Sequence, residues 1–261
     1  LPNNNKKTLE DYIYFKTDNG VLYNGSCLDI LPLLDNNSFQ CVFTSPPYNC
    51  GVGYDVYDDN KPLKEYLEFL NKTFSLCIDK LSDGGHLGIQ IANTGRQPYT
   101  PLTDFVSTYL FDKIQMRGEI IWDKQNMTSA TAWGSWLSAN QPSLRDSHEY
   151  IEVFRKEGDR KGISDITKEE FMEATKAIWR ITPETQLKEH PAPFPEKLAE
   201  RFIKLYAFLN ETVLDPFSGA GTVGLVCEKI NRKYILIELS EKYCELSKKR
   251  ILNYTNQLRM F

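Results

Sequence analysis

A doubly covered, mostly parallel α/β sheet is the fold this 261-residue sequence predicts, and three observations predict it. Apolar runs at 39–43, 86–91, 118–122, 149–154, 212–215 and 234–237 read as strands. They alternate with helical stretches at 62–80, 101–113, 195–208, 222–231 and 240–256, the order of a sheet flanked by helices. Residues 212–238 then form a βαβ unit whose first turn is glycine-rich and whose second strand ends on an acid, Glu238.

The first strand, 39–43, runs into Thr44-Ser45-Pro46-Pro47-Tyr48-Asn49. Two successive prolines hold an extended backbone there and leave two nitrogens without a proton, so the carbonyls cannot fold back into a helix. Ser45 adds a hydroxyl and Tyr48 an aromatic face. The product is an acceptor-rich cup with a stacking plate, suited to a planar, amine-bearing guest such as a nucleobase. An isolated Pro-Pro would be read as a plain turn. The βαβ unit downstream changes that reading.

Within that unit, Thr212-Val-Leu-Asp-Pro-Phe-Ser-Gly-Ala-Gly-Thr222 passes from a short strand into a turn, and the helix starts at Thr222. Gly219 and Gly221 allow the backbone to approach a ligand closely. The glycine spacing differs from a dinucleotide fingerprint by one position at Gly224. Asp215 at the mouth of the turn would repel a pyrophosphate and welcome an ammonium. A cofactor with a cationic amino-acid tail and an adenosine body satisfies both ends: S-adenosylmethionine. Asp215, Phe217, Ser218, Gly219, Gly221 and Thr222 are expected at its methionine end, Glu238 at the ribose hydroxyls and Leu239 at the adenine.

Composition is consistent with one catalytic domain spanning 1–261. Apolar residues at 41% and charged residues at 25% exclude a disordered chain. No apolar run is long enough to span a bilayer, and Leu1 to Thr8 lacks a signal-peptide core, which points to the cytoplasm. Cys27, Cys41, Cys50, Cys77, Cys227 and Cys244 form no Cys-x-x-Cys pair and read as buried reduced thiols. Three scattered histidines make a zinc site improbable, and no metal is expected. A net charge of −4 does not advertise a nucleic-acid binder, so any such role needs a local basic face. Arg145, Arg155, Lys156, Arg160 and Lys161 are the candidates for phosphate contact. Lys248, Lys249 and Arg250 read as a solvated face of the last helix.

The order of these motifs resembles the β-class DNA amino-methyltransferases, in which the catalytic motif precedes the cofactor glycine motif. Tyr23 to Asp29, the Gly84-Gly85 corner, Glu119 to Lys124, His148 to Phe154 and His190 to Pro195 resemble further segments of that family in sequence. The resemblance implies a Rossmann-like methyltransferase fold, a mostly parallel seven-stranded sheet with helices on both faces. It implies double-stranded DNA as substrate and a cognate restriction endonuclease as functional partner. It adds Cys27, Leu28, Pro193 and Phe194 to the cofactor pocket, each equally readable as core. It marks 156–189 as a target-recognition insert.

The expected chemistry starts from an exocyclic amine whose lone pair is delocalised into its ring. Ser45 and the Pro46 carbonyl would accept from the amino group, Pro47 would stiffen the turn, and Tyr48 would stack on a base flipped out of the duplex. Serine at the head of the cup resembles the enzymes that methylate N4 of cytosine; aspartate is usual for N6 of adenine, with which Asn49 is shared. N4 of cytosine is the favoured target and N6 of adenine the alternative. An RNA or protein amide methyltransferase would begin the cup with asparagine, and a non-catalytic binding module would have one motif degraded. His148 is read as packing in its strand, and one of Trp133 and Trp136 as core.

Overall fold

The computed structural model describes residues 7–94, 98–125 and 134–258. In chain order the strands are β1 (Ile13–Lys16), β2 (Gly20–Asn24), β3 (Phe39–Thr44), β4 (Leu81–Ile91), β5 (Gln115–Asp123), β6 (His148–Arg155), β7 (Ile178–Arg180), β8 (Thr212–Asp215) and β9 (Lys233–Glu238). The helices are α1 (Cys27–Ile30), α2 (Leu63–Lys80), α3 (Leu102–Leu110), α4 (Lys168–Ala174), α5 (Glu196–Tyr206), α6 (Thr222–Lys229) and α7 (Glu241–Leu258).

The expected seven-stranded, mostly parallel Rossmann-like sheet is not what forms. Among the described residues the sheet has nine strands in the order β1-β2-β9-β8-β3-β4-β6-β5-β7, and its directions are mixed. A central block, β2-β9-β8-β3-β4, is parallel. Strand β6 lies antiparallel between β4 and β5. β1 folds back antiparallel on β2, and the three-residue β7 adds parallel to β5 at the far edge. The physical reasons are local. Parallel neighbours in sequence need a crossover, and no helix is found between β5 and β6 among the described residues, so the chain returns the way it came. β1 and β7 are too short to show a period.

Helices do cover both faces, because the strands of the parallel block alternate at period two. Cys41, Phe43, Val213 and Leu236 point into a core with Leu198 and Phe202 of α5, Val223 of α6 and Ile251 of α7. Val42, Leu214, Ile237 and Leu87 point the other way, against Tyr66, Leu70 and Phe74 of α2 and Leu102 and Val106 of α3. Gly224 permits close packing of α6 on the sheet, since a Cβ there would lie 2.7 Å from a Leu236 methyl. All carboxyl ends of the parallel block share one edge, and the loops leaving that edge build the cleft described next.

Candidate active site

Thr44 ends β3 and Asp215 ends β8, and the Thr44 hydroxyl donates to Asp215 Oδ1 at 2.7 Å. One buried hydrogen bond thus joins the residues that open the two motifs, 171 positions apart in sequence. Above it lies a cleft of about 770 Å³. Its wall includes Ser45 to Tyr48 on one side and Phe217 to Ala220, Thr222, Glu238 and Leu239 on the other, with Cys27, Leu28, Pro193 and Phe194 between. That volume is within the range of about 300–1,000 Å³ common for small-molecule sites.

The glycine side is built from backbone. Gly219 and Gly221 have φ of +48° and +72°, left-handed values that glycine adopts at no steric cost. A Cβ at Gly219 would meet His190 Nε2 at 2.7 Å, and one at Gly221 would fall 1.9 Å from Ser247 Oγ. Glu238 locks the turn: its carboxylate accepts from Gly219 N at 2.7 Å and from Ser240 N at 2.8 Å. Burial raises its pKa. A carboxylate oxygen accepts more than one hydrogen bond, so a hydroxyl can join these amides at Glu238. Gly221 and Asp215 are not on the cleft wall. Asp215 is fully buried behind it, holding Phe217 N at 3.1 Å, and its Oδ2 has no partner. Burial pushes its carboxyl up to about 7.

Two residues brace this turn that sequence reading assigned no such role. Arg250, expected on a solvated face, donates to the Ala220 carbonyl at 2.6 Å and to Thr222 Oγ1 at 3.1 Å. His190 lies over Gly219 and packs its ring 4.6 Å from that of Tyr243. Burial lowers His190 to about 4, with Arg250 adding to the effect, so the imidazole is neutral at pH 7 and adds no charge beside a cationic ligand. The i,i+3 and i,i+7 positions of Arg250 relative to Ser247 and Tyr243 on one helix were the available signal.

Side chains build the opposite wall. Ser45 Oγ is 3.0 Å from Tyr48 Oη, which donates to Glu149 Oε2 at 2.9 Å and accepts from Gln90 Nε2 at 2.8 Å. Gln90 Nε2 also donates to that carboxylate, and Lys124 Nζ pairs with its other oxygen. Gln90 Oε1 is buried with no partner. Burial, with Glu149 adding to it, drives the Tyr48 hydroxyl well above the phenol range and keeps it a neutral donor. Tyr66 Oη donates to the Pro47 carbonyl at 2.6 Å. Gln90, Lys124 and Glu149 all line the cleft.

A loop, 49–61, spans the two sides. Asp59 organises it, accepting from Asn49 N, Cys50 N and Val52 N at 2.7, 3.0 and 3.0 Å. Asp55 accepts from Ser240 Oγ at 2.6 Å, tying the loop to the start of α7.

Other expectations fall away from the cleft. Arg155, Lys156 and Arg160 lie at the opposite end of the sheet, where β6 pairs with His86. Lys156 donates to the Leu81 carbonyl, and Arg160 pairs with Glu211 and donates to the carbonyls of Gly84 and Tyr206. Lys156 and Arg160 are thus engaged in internal bonding, and all three lie away from the cleft. His148 bonds Tyr150 Oη at 2.8 Å within its strand. Trp136 is 64% exposed, and Trp133 lies outside the described residues. Of 156–189, the part after α4 returns to the cleft end: β7 pairs with the end of β5, and Pro183 and Glu184 reach the wall. All six cysteines are free, five of them buried. No cluster suited to a metal occurs among the described residues, and no described helix is long and apolar enough to cross a membrane.

A glycine cradle, a strand-end carboxylate and a proline-stiffened acceptor cup on one cleft define a class, the enzymes that methylate amino groups of bases. The DNA methylase family matches residues 39–249, and the chain belongs to it. It is 35% identical to the type II methyltransferase M.MjaVI of Methanocaldococcus jannaschii over 67% of this chain and 91% of that one. Its fold is similar to that of PvuII DNA methyltransferase, described as cytosine-N4-specific, with a TM-score of 0.74 at 23% identity over 91% of this chain and 88% of that one. It is similar as well to a Thermus thermophilus protein described as a DNA modification methylase and solved in complex with S-adenosyl-L-methionine. There the TM-score is 0.70 at 24% identity, over 89% and 94% of the two chains. The chain is thus a DNA methyltransferase dependent on S-adenosylmethionine, and DNA is its substrate.

Proposed function

We propose that this enzyme methylates N4 of cytosine within a short DNA target. The observation that carries the reading is Ser45: a neutral hydroxyl, bonded to Tyr48, heads the acceptor cup where adenine-directed relatives usually have an aspartate. The cytosine-N4 specificity of the similarly folded PvuII enzyme agrees with it.

S-adenosylmethionine supplies an electrophilic methyl group on a sulfonium. Glu238 is suited to hold its ribose and the turn from Phe217 to Ala220 its methionine end, with Gly221 setting the turn's shape from behind and Cys27, Leu28, Phe194 and Leu239 around the remainder. Asp215 acts from behind the wall by fixing Phe217. The base leaves the duplex and enters beside Tyr48. The Ser45 hydroxyl and the Pro46 carbonyl accept the two amino N–H groups, which draws the nitrogen lone pair out of conjugation and aims it across the cleft. Positioning and charge placement provide the rate, as expected where no covalent intermediate is required. Residues 156–189 contribute target recognition, with 178–189 nearest the cleft. A cytoplasmic enzyme paired with a restriction endonuclease of the same target is the setting that this reading implies.

The test is nucleoside mass spectrometry after incubation with unmethylated duplex DNA and S-adenosylmethionine. N4-methylcytosine is expected. N6-methyladenine would overturn the base assignment, and no modified nucleoside at all would overturn the substrate.

A further inference from the structure

The polar groups assigned above to the base, Ser45 Oγ and the Pro46 carbonyl, act as acceptors, and Gln90, which lines the same cleft, adds an unpartnered Oε1. A flipped pyrimidine brings acceptors of its own, which lose their Watson–Crick donors on leaving the duplex. Left unmet in a buried site, they would oppose flipping. The cleft needs a donor on that side, and two lysines line it. Lys61 belongs to the 49–61 loop and pairs with Glu65 at 3.4 Å. Lys124 follows directly on β5, with its amide bonded to the Ser147 carbonyl at 3.0 Å, so its backbone is fixed to the sheet.

We infer that Lys124 reads the acceptor edge of the target base, donating to the ring nitrogen beside the amine and to the neighbouring carbonyl. This rests on the reading of the cleft as a cytosine site. An ammonium has three N–H groups, and one is taken by Glu149 Oε1. The same carboxylate accepts from Tyr48 through its other oxygen, so Lys124 and the cup are held by one anchor. The Trp122 ring, 5.2 Å from Nζ, limits the swing of the side chain. Glu149 is therefore a positioning residue with two tasks. It aims the ammonium, and it balances that charge in a cleft that also admits a sulfonium.

The arrangement selects among bases. Cytosine offers two acceptors next to its amine, the ring nitrogen and the carbonyl. Adenine offers one, followed by a C–H. The second free N–H of Lys124 is met only by cytosine, so Lys124 is a specificity-determining residue.

The test is binding without turnover, on duplexes carrying the mapped target with the target base mismatched, replaced by 3-deazacytosine, or removed to leave an abasic site. Lys124→Met should lose about tenfold in affinity for the mismatched cytosine duplex, the scale of one good base contact, and less than twofold for the abasic duplex. Equal loss on both would make Lys124 a phosphate or folding residue and overturn the proposal. The second arm uses the unaltered enzyme, so folding of a variant is not at issue. It should discriminate cytosine from 3-deazacytosine about tenfold, and no discrimination would overturn the proposal. Glu149→Gln should keep abasic binding and lose part of the cytosine preference; full preference in that variant would remove the positioning role. Failure of the cytosine reading itself shows separately, as N6-methyladenine in the product.

Discussion

The two walls of the cleft are made by different means. The glycine wall is nearly contiguous: strand, turn and helix from Thr212 to Lys229 supply most of it, Glu238 and Leu239 complete it, and backbone conformation gives it its shape. The base wall is assembled from distant strands, with Ser45 and Tyr48 after β3, Gln90 on β4, Lys124 after β5 and Glu149 on β6. Backbone-built sites tolerate few substitutions in the turn itself, because conformation carries the function. Side-chain networks fail at the first unsatisfied partner, because each buried polar group depends on its neighbours. The walls are joined by the Thr44–Asp215 bond and, across the 49–61 loop, by Asp55 and Ser240, but the groups that shape each wall are its own, so damage to one should largely spare the other.

The largest effect is expected at Gly221→Ala. Left-handed backbone and a Cβ placed 1.9 Å from Ser247 Oγ combine there. Cofactor affinity by calorimetry should fall on the order of a hundredfold, with a lowered Tm. Unchanged affinity would mean that the turn does not cradle the cofactor.

On the other wall, Tyr48→Phe keeps the ring and removes the hydroxyl shared by Ser45, Gln90 and Glu149. Turnover should drop by about ten- to a hundredfold, the scale of stranding buried polar groups, with cofactor affinity held. A fall in cofactor affinity instead would show the walls to be one unit.

Asp215→Asn probes the Thr44–Asp215 link between them. In the fold its carboxyl titrates at about 7, against 3.8 for the free side chain. Between those values the native state holds a proton that the unfolded chain has released. Its contribution to stability is therefore full below about pH 4 and lost as pH rises through about 7, by no more than about 4 kcal/mol. The asparagine variant should show a flatter stability profile over that window by chemical denaturation. An unchanged slope would assign the pH dependence elsewhere.

A smaller effect is expected from Arg250→Ala, which removes the donors on the Ala220 carbonyl and Thr222. Cofactor affinity should weaken about three- to tenfold, as for the loss of one charge-assisted hydrogen bond. Full retention of affinity would reduce Arg250 to a helix-packing residue.

The same contrast explains what could be read from the sequence. The glycine turn and the Ser45–Tyr48 cup are short, contiguous and rich in residues with unusual backbone limits or freedom, so Pro46, Pro47, Gly219, Gly221 and Glu238 could be singled out as candidates from sequence. The helices of both faces followed from periodicity, and α2 begins within one residue of its expected start. The direction of β6 was not legible, because period two is the same in either direction and only the connection decides it. Glu149 and Lys124 were noticed as parts of strands and not as a site, since their pairing and the Tyr48 contact 101 positions away exist only once β6 enters between β4 and β5. Arg155, Lys156 and Arg160 misled because charge on a chain does not reveal which end of a sheet it occupies.

The separation of the walls is tested most directly by Ser45→Ala, measured twice on the same preparation: S-adenosylmethionine affinity by calorimetry and methyl transfer to duplex DNA by nucleoside mass spectrometry. Affinity within twofold of the unaltered enzyme, with transfer lowered about a hundredfold or more, is the predicted result, given what a single acceptor at a reacting centre contributes. Loss of affinity in step with transfer, or transfer that survives the substitution, would contradict it.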